Sequence, residues 1–253
     1  MFKLTNIKKT FKDKKNIVSA LDGVTFEIKS GEIFGIIGKS GVGKSTLLKI
    51  LSFQSTYDEG EFIFLDKDTK NLTHHEQRQL LLETSYIHQS FSLLYNLSVL
   101  ENIALPLILR GISKKEALEK SKKMLSYVGL IHKEKEYPIT LSGGEAQRIS
   151  IARALVTQPK VIYADEPTSS LDDATAYEIL SLLKQINQEF KTTIIFVSHQ
   201  TELVKYLCDR VLLLEKGKIK RLAEVKNTKE LVTDYESIIW GDENVWSNLY
   251  SNW

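Results

Sequence analysis

The chain has 253 residues, 42% of them hydrophobic, a formal net charge of +2 and one cysteine. That length supports one large domain or two small ones with a real core, and the near-zero charge gives no reason to expect a nucleic-acid partner. A single cysteine, Cys208, excludes an intrachain disulfide and suits a reducing cytoplasm, where it reads as a small buried hydrophobe. No apolar run reaches the ~18–20 residues that span a bilayer. Residues 1–9 offer no apolar region of a signal peptide. The expected place is therefore the cytoplasm, with any membrane contact made through a partner.

Residues 1–36 read as short strands with turns, Asp22-Gly23 being a turn signal and residues 21–28 alternating in part. Glu32-Ile33-Phe34-Gly35-Ile36-Ile37 reads as a buried strand running straight into Gly38-Lys39-Ser40-Gly41-Val42-Gly43-Lys44-Ser45. Residues 46–53, opening on Thr46, then read as a helix whose apolar face is Leu47, Leu48, Ile50, Leu51 and Phe53. Strand, glycine loop and helix in that order are the setting of a phosphate-binding loop. The glycines let successive backbone N–H groups point into one concavity around the β- and γ-phosphates, and the helix adds its positive N-terminal end. Lys44 supplies a mobile charge for the phosphate oxygens, and Ser45 offers a hydroxyl to Mg²⁺.

Further along, residues 61–65 read as a hairpin strand. Thr73-His74-His75-Glu76 is a capping box that opens a polar helix. Its two histidines are adjacent, so on a helix they point apart and do not form a metal pair. Residues 96–158 are mostly helical in pattern. Within them Ser113-Lys114-Lys115-Glu116 is a second capping box, Ala117, Leu118, Leu125 and Val128 form an apolar face, and Gly129 is a C-terminal stop. The lysines of that segment read as a solvated face. Residues 160–165, 172–190 and 192–198 read as strand, helix and strand, one right-handed unit of a parallel sheet. Residues 211–214 and 218–219 flank the turn Glu215-Lys216-Gly217, and the domain is expected to end near Leu222. Residues 230–253 carry five acidic residues, no Lys or Arg, and all three tryptophans, Trp240, Trp246 and Trp253. This tail is expected either to fold back on the body or to dock on another chain.

Three further segments carry chemistry. Val161-Ile162-Tyr163-Ala164 is an apolar strand ending in Asp165 and Glu166. Asp165 is placed to hold Mg²⁺ through water, while Glu166 turns to the other side of the backbone and polarises a water for in-line attack on a γ-phosphate. His199 ends the neighbouring strand at the rim where ligands of parallel sheets bind, in reach of the γ-phosphate and of Glu166. Gln89 ends the segment Tyr86-Ile87-His88, and its carbonyl suits Mg²⁺ or the attacking water; His88 points elsewhere. In Leu141-Ser142-Gly143-Gly144-Glu145-Ala146-Gln147-Arg148, Ser142 and Glu145 form a capping box that starts a helix. The cap does not account for two consecutive glycines, which cost stability at a helix start and suit the close approach of a phosphate. The stretch therefore reads as a second anion site, and one nucleotide does not need two such sites from the same subunit.

These motifs, in this order, resemble the ATP-binding subunits of ABC transporters over roughly residues 2–222; Ser169-Ser170-Leu171-Asp172 adds to the match. The resemblance implies an α/β fold: a P-loop NTPase core with a parallel sheet, an antiparallel β-region and an inserted helical subdomain at about residues 88–158, with residues 223–253 as a separate tail. It implies a homodimer enclosing two ATP molecules. Each would lie between one phosphate loop (Gly38 to Thr46) and Ser142, Gly143, Gly144 and Glu145 of the other subunit, with Asp172 at the seam. Phe11 falls where the family has an aromatic ring stacked on adenine. Ser45, Gln89 and Asp165 would serve Mg²⁺, and Glu166, His199, Gln89 and Lys44 hydrolysis. A groove beside Gln89 and residues 90–100 would take a coupling helix of an integral membrane permease, a substrate-binding protein would lie on the far side, and the chain would sit on the cytoplasmic face of the plasma membrane. Asn102-Ile103-Ala104-Leu105-Pro106-Leu107 and residues 204–211 are similar to the methionine-importer ATPases. Leu93-Leu94 and Leu100-Glu101-Asn102 also suit the lipoprotein-releasing exporters. Methionine-importer ATPases carry a further C-terminal regulatory domain, whereas only about thirty residues follow Leu222 here. Amino-acid import, with methionine the expected substrate, is the first reading. Lipoprotein or lipid extraction and a regulatory role of the cell-division type are the alternatives.

Overall fold

Alternation along three short apolar strands builds the centre of the molecule. The structure is a computed structural model that describes residues 1–13 and 16–225, so the tryptophan-rich tail lies outside the described residues. The first elements are strands Phe2–Asp13 (β1), Asn16–Ile28 (β2) and Ile33–Ile37 (β3), then helix Lys44–Leu51 (α1). Strands Glu59–Phe64 (β4) and Lys67–Asp68 (β5), helix His74–Leu82 (α2) and strand Thr84–Ile87 (β6) follow. Helices Val99–Leu109 (α3), Lys114–Tyr127 (α4) and Gly143–Leu155 (α5) come next, joined in part by single 3₁₀ turns. The chain continues with Val161–Asp165 (β7), Asp173–Phe190 (α6), Thr193–Val197 (β8), Thr201–Leu207 (α7), Arg210–Glu215 (β9) and Lys218–Glu224 (β10).

The larger sheet has the order β10-β9-β3-β8-β7-β6, parallel except at the β10 edge. Successive side chains point to opposite faces, so Tyr163, Ile195 and Phe34 enter one core while Ile162, Ala164, Ile194 and Phe196 enter the other. Both faces being covered explains why these strands read as unbroken apolar runs. On one face lie α1 and the antiparallel sheet β2-β1-β4-β5, packed through Phe2, Phe62, Phe64 and Leu47. On the other, α3 to α7 contribute Ile103, Ile149, Ile179 and Leu203. The β7-α6-β8 unit is the strand–helix–strand expected, with β7 and β8 paired directly.

The first 36 residues differ from the short strands expected. They form two long strands, β1 and β2, whose pairing shifts register between Leu4 and Ile7, Ile7 and Lys9, and Lys9 and Thr10. Each shift reverses which residues face inward, so the alternation in sequence breaks although the strand continues. Asn6, within the first of these shifts, has φ 53.

Helix starts follow the capping chemistry of the sequence with one correction. Thr73 and Glu76 form the full box on α2, and Ser142 and Glu145 form it on α5. On α4 Ser113 accepts the Glu116 N–H, but the Glu116 carboxylate bonds Lys120 at 2.9 Å instead of closing the box. A further full box, Ser98 with Glu101, starts α3. Cys208 is fully buried, as its reading as a small hydrophobe required.

Asn102 shapes the segment between β6 and α3. It is fully buried, accepts the Leu94 N–H at 2.7 Å and directs its amide at the carbonyls of Leu94, Leu97 and Ser98. Asn102→Ala leaves those part-buried backbone groups unpaired and is expected to lower unfolding free energy by about 2 kcal/mol in urea titration.

Candidate functional site

The strand pairings bring the chemically active segments to one rim. Ile36 pairs with Val197, Asp165 with Val197, and Ile87 with Ala164, so β3, β8, β7 and β6 end level with one another. The glycine loop after β3, Asp165-Glu166, His199 and Gln89 all leave the sheet at its carboxyl edge, where open α/β sheets bind ligands.

The loop between β3 and α1 is shaped by two glycines, Gly38 and Gly43, that no other residue replaces without a clash. Gly43 has φ 108, and a methyl there would lie 2.3 Å from the Ala20 carbonyl oxygen. Gly38 would bring one within 2.4 Å of the Leu214 carbonyl oxygen. Gly43 is also the cap position of α1, which has no side-chain cap, whereas α2 to α6 are capped by Thr73, Ser98, Ser113, Ser142 and Asp172. The first N–H groups of α1 therefore face the loop with no side-chain acceptor, a cradle that fits an anion. Lys44 is 8% exposed, and its ammonium donates to the carbonyls of Gly38 at 2.8 Å and Lys39 at 3.0 Å. Ser45, beside it, is exposed.

Glu166 sits in the left-handed region at φ 47, the turn that carries it off the end of β7 and past Asp165. Its N–H donates to the Val197 carbonyl at 3.0 Å, and its carboxylate lies 3.2 Å from Nδ1 of His199. The structure thus pairs two residues that are 33 positions apart in sequence. Asp165 accepts a hydrogen bond from the Tyr86 hydroxyl at 3.0 Å, a partner that sequence reasoning missed. Tyr86 pairs with Tyr163 across β6 and β7, which sets its hydroxyl beside the acid two residues further on. Burial first, and then the Asp165 charge, push the Tyr86 hydroxyl well above the usual phenol range, so it stays a donor. His88 stacks on Tyr86 with ring centroids 4.3 Å apart, and burial pulls its imidazole below the usual histidine range. Gln89 is exposed one residue beyond. The hydroxyl of Ser45, the carboxylate of Asp165 and the amide oxygen of Gln89 form an all-oxygen donor set, which fits a hard divalent cation such as Mg²⁺. Phe11 is 49% exposed on β1, with the Lys9 ammonium 5.6 Å from its ring centre.

The start of α5 lines a separate groove of about 320 Å³ with Ser170, Asp172 and Thr175. Ser142 is exposed there and accepts the Glu145 N–H, and Glu145 in turn accepts the Ser142 N–H at 2.8 Å. The two glycines have a reason that the sequence did not suggest. A methyl on Gly144 would meet the Thr175 methyl at 2.6 Å, and one on Gly143 would meet Leu171 at 3.2 Å. Thr175 is itself fixed by Asp172, which caps α6 and accepts from both its N–H and its hydroxyl. The Thr175 bonds hold the Asp172 carboxyl below the usual carboxylate range. Small residues are thus needed here for packing against α6, whatever else approaches.

A phosphate cradle on a uncapped helix, paired with acids at the carboxyl rim of a mostly parallel sheet, defines a nucleoside-triphosphate-binding α/β protein. Residues 21–169 match the family model described as ABC transporter, and the chain belongs to that family as an ATPase cassette. It is 42% identical over 227 residues to a methionine import ATP-binding protein of Clostridium tetani, a match covering 90% of this chain and 70% of that one. A Staphylococcus aureus protein of the same description is 41% identical over 226 residues, covering 89% of this chain. This chain spans 66% of the length of that relative. Among solved structures, the ATP-binding cassette MJ0796 in a dimeric, post-hydrolysis state bound to ADP and Pi superimposes with a TM-score of 0.80. The two are 35% identical, and the match covers 89% of this chain and 99% of that one.

Proposed function

We propose that this chain is the motor subunit of a membrane importer, hydrolysing ATP between two copies of itself to drive amino-acid uptake, methionine being the substrate, through separate permease subunits. The observation that carries the enzymatic part is the Glu166–His199 pair at the rim that also bears the uncapped phosphate cradle. Methionine rests on the 42% identity to the clostridial import protein. Among the described residues no helix is long and apolar enough to cross a membrane. Exposed Leu94 and Tyr95 beyond Gln89 offer apolar surface to a partner helix at the inner face of the plasma membrane.

In this reading the α1 N-terminus and Lys44 hold the β- and γ-phosphates, and Phe11 offers its ring to adenine. Ser45, Asp165 and Gln89 would hold Mg²⁺, which would supply positive charge to the phosphate oxygens. Glu166 takes a proton from a water whose oxygen bonds to the γ-phosphorus. The bond from that phosphorus to the bridging oxygen breaks, and ADP leaves with the electron pair. His199 keeps the Glu166 carboxylate aimed at the water. Ser142, Gly143 and Gly144 of the second copy, with Glu145 fixing their helix start, meet the γ-phosphate from the other side.

Ser142→Asp separates capping from phosphate contact. Aspartate caps a helix about as well as serine, so the melting temperature stays near wild type. Its charge opposes a phosphate, so hydrolysis falls by about 100-fold or more at saturating ATP. Unchanged hydrolysis would leave Ser142 a cap and nothing else. The transport reading is tested by uptake of labelled methionine in cells that lack their own importer ATPase. This chain, expressed with the permease encoded beside it, restores uptake, and the Glu166→Gln form does not. Restored lipoprotein release with no methionine uptake would move the motor to extraction.

A further inference from the structure

The segment after Gln89 is held in a conformation that its residues do not favour. Phe91 and Ser92 both lie in the left-handed region, at φ 57 and φ 51. Neither is glycine, and consecutive residues of this kind are strained unless neighbours enforce them. The enforcement comes from α5. Arg153, in its last turn, donates from Nη1 to the Ser92 carbonyl at 2.7 Å and from Nη2 to the Phe91 carbonyl at 2.8 Å. A basic side chain at a helix C-terminus ordinarily serves its own carbonyls, and here it spans to another segment. Among the described residues Arg153 has no acidic partner, and its guanidinium is spent on the two loop carbonyls. Helix α5 therefore holds the Gln89 loop from its last turn, through Arg153, while its first turn is the one that Ser142 caps.

We infer that Arg153 is a positioning residue for ATP hydrolysis: its two hydrogen bonds hold the Gln89 loop in the strained turn and fasten it to the helix that begins at Ser142–Gly144, so that Gln89 and that helix start move as one body. The inference rests on the role proposed above for Gln89. A shift of the loop, such as a permease helix seated beside it would impose, is then delivered directly to the surface that faces the second nucleotide.

The experiment compares Arg153→Ala, Arg153→Lys, Ser92→Gly and the Arg153→Ala/Ser92→Gly double variant in the full chain. It reads steady-state ATP turnover, ATP affinity, and amide exchange at residues 89–93 without nucleotide. Arg153→Ala lowers kcat about ten-fold or more and leaves ATP affinity within about two-fold, because the strained turn is no longer enforced. Exchange at residues 91–93 speeds up, and Arg153→Lys, with a single donor group, falls between the two. Glycine occupies the left-handed region at no steric cost, so Ser92→Gly alone behaves as wild type and the double variant returns to within about three-fold of it. Unchanged exchange in Arg153→Ala, or a lost kcat that Ser92→Gly does not recover, overturns the inference. Gln89→Ala is measured in parallel. Wild-type turnover in that variant would remove the role given to Gln89, while the exchange data still decide whether Arg153 holds the loop.

Discussion

Glu166→Gln is expected to lower ATP turnover by about three orders of magnitude while leaving ATP affinity within about two-fold of wild type. The substitution keeps the shape of the side chain and one oxygen for the His199 contact at 3.2 Å, but it removes the group that accepts the water proton. The left-handed turn at φ 47 is a backbone feature and survives the change. Position and proton transfer are therefore separated in one variant. His199→Ala acts differently: it leaves the carboxylate in place and removes what aims it, so a smaller loss is expected. Phosphate release under saturating ATP measures both. A Glu166→Gln protein that hydrolyses at the wild-type rate would end the role of Glu166 as general base and shift attention to other acceptors at the rim.

Lys44→Ala is expected to weaken ATP binding by about 100-fold or more. The Lys44 side chain is buried and donates only to the carbonyls of Gly38 and Lys39, with no carboxylate among its described partners. Such a cation contributes little to the stability of the protein alone, because its desolvation is offset only by dipoles. Its favourable partner is the phosphate. Removing it therefore leaves the melting temperature of the nucleotide-free protein unchanged or slightly raised. The rise in melting temperature that ATP produces in the wild type is lost, since that rise scales with the affinity. Thermal melts with and without ATP test both signs at once. A nucleotide-free protein that unfolds many degrees lower would make Lys44 a structural residue.

Local signals in the sequence were legible because their physics is local. The glycine loop, the apolar strands β3, β7 and β8, and the capping boxes at Thr73 and Ser142 are each decided by residues within a few positions of one another. What escaped the sequence is decided by distant partners. The shifts between β1 and β2 depend on how two long strands are paired, and they hide the alternation. The Glu116 carboxylate had two uses within reach, the Ser113 N–H and Lys120, and capping propensity alone does not rank them. The hydroxyl of Tyr86 reaches Asp165 from 79 residues away. Arg153 reaches the Phe91 and Ser92 carbonyls across 62 and 61 residues. The paired glycines show the same limit most clearly. Reasoning from the helix start left a phosphate as their explanation, whereas Thr175, brought there by Asp172, gives Gly144 a packing reason within the chain. Packing and phosphate contact meet in one groove, which Ser142, Gly143, Gly144 and Thr175 line together.

The central claim is that each ATP is completed by Ser142–Gly144 of a second copy. Light scattering on the Glu166→Gln protein, with ATP and Mg²⁺ present to hold nucleotide without turnover, tests it most directly. The account predicts a shift from monomer to dimer with two ATP per dimer, and no shift when Ser142→Asp is added. A protein that binds ATP yet remains monomeric, or one that dimerises equally well with Ser142→Asp, would contradict it.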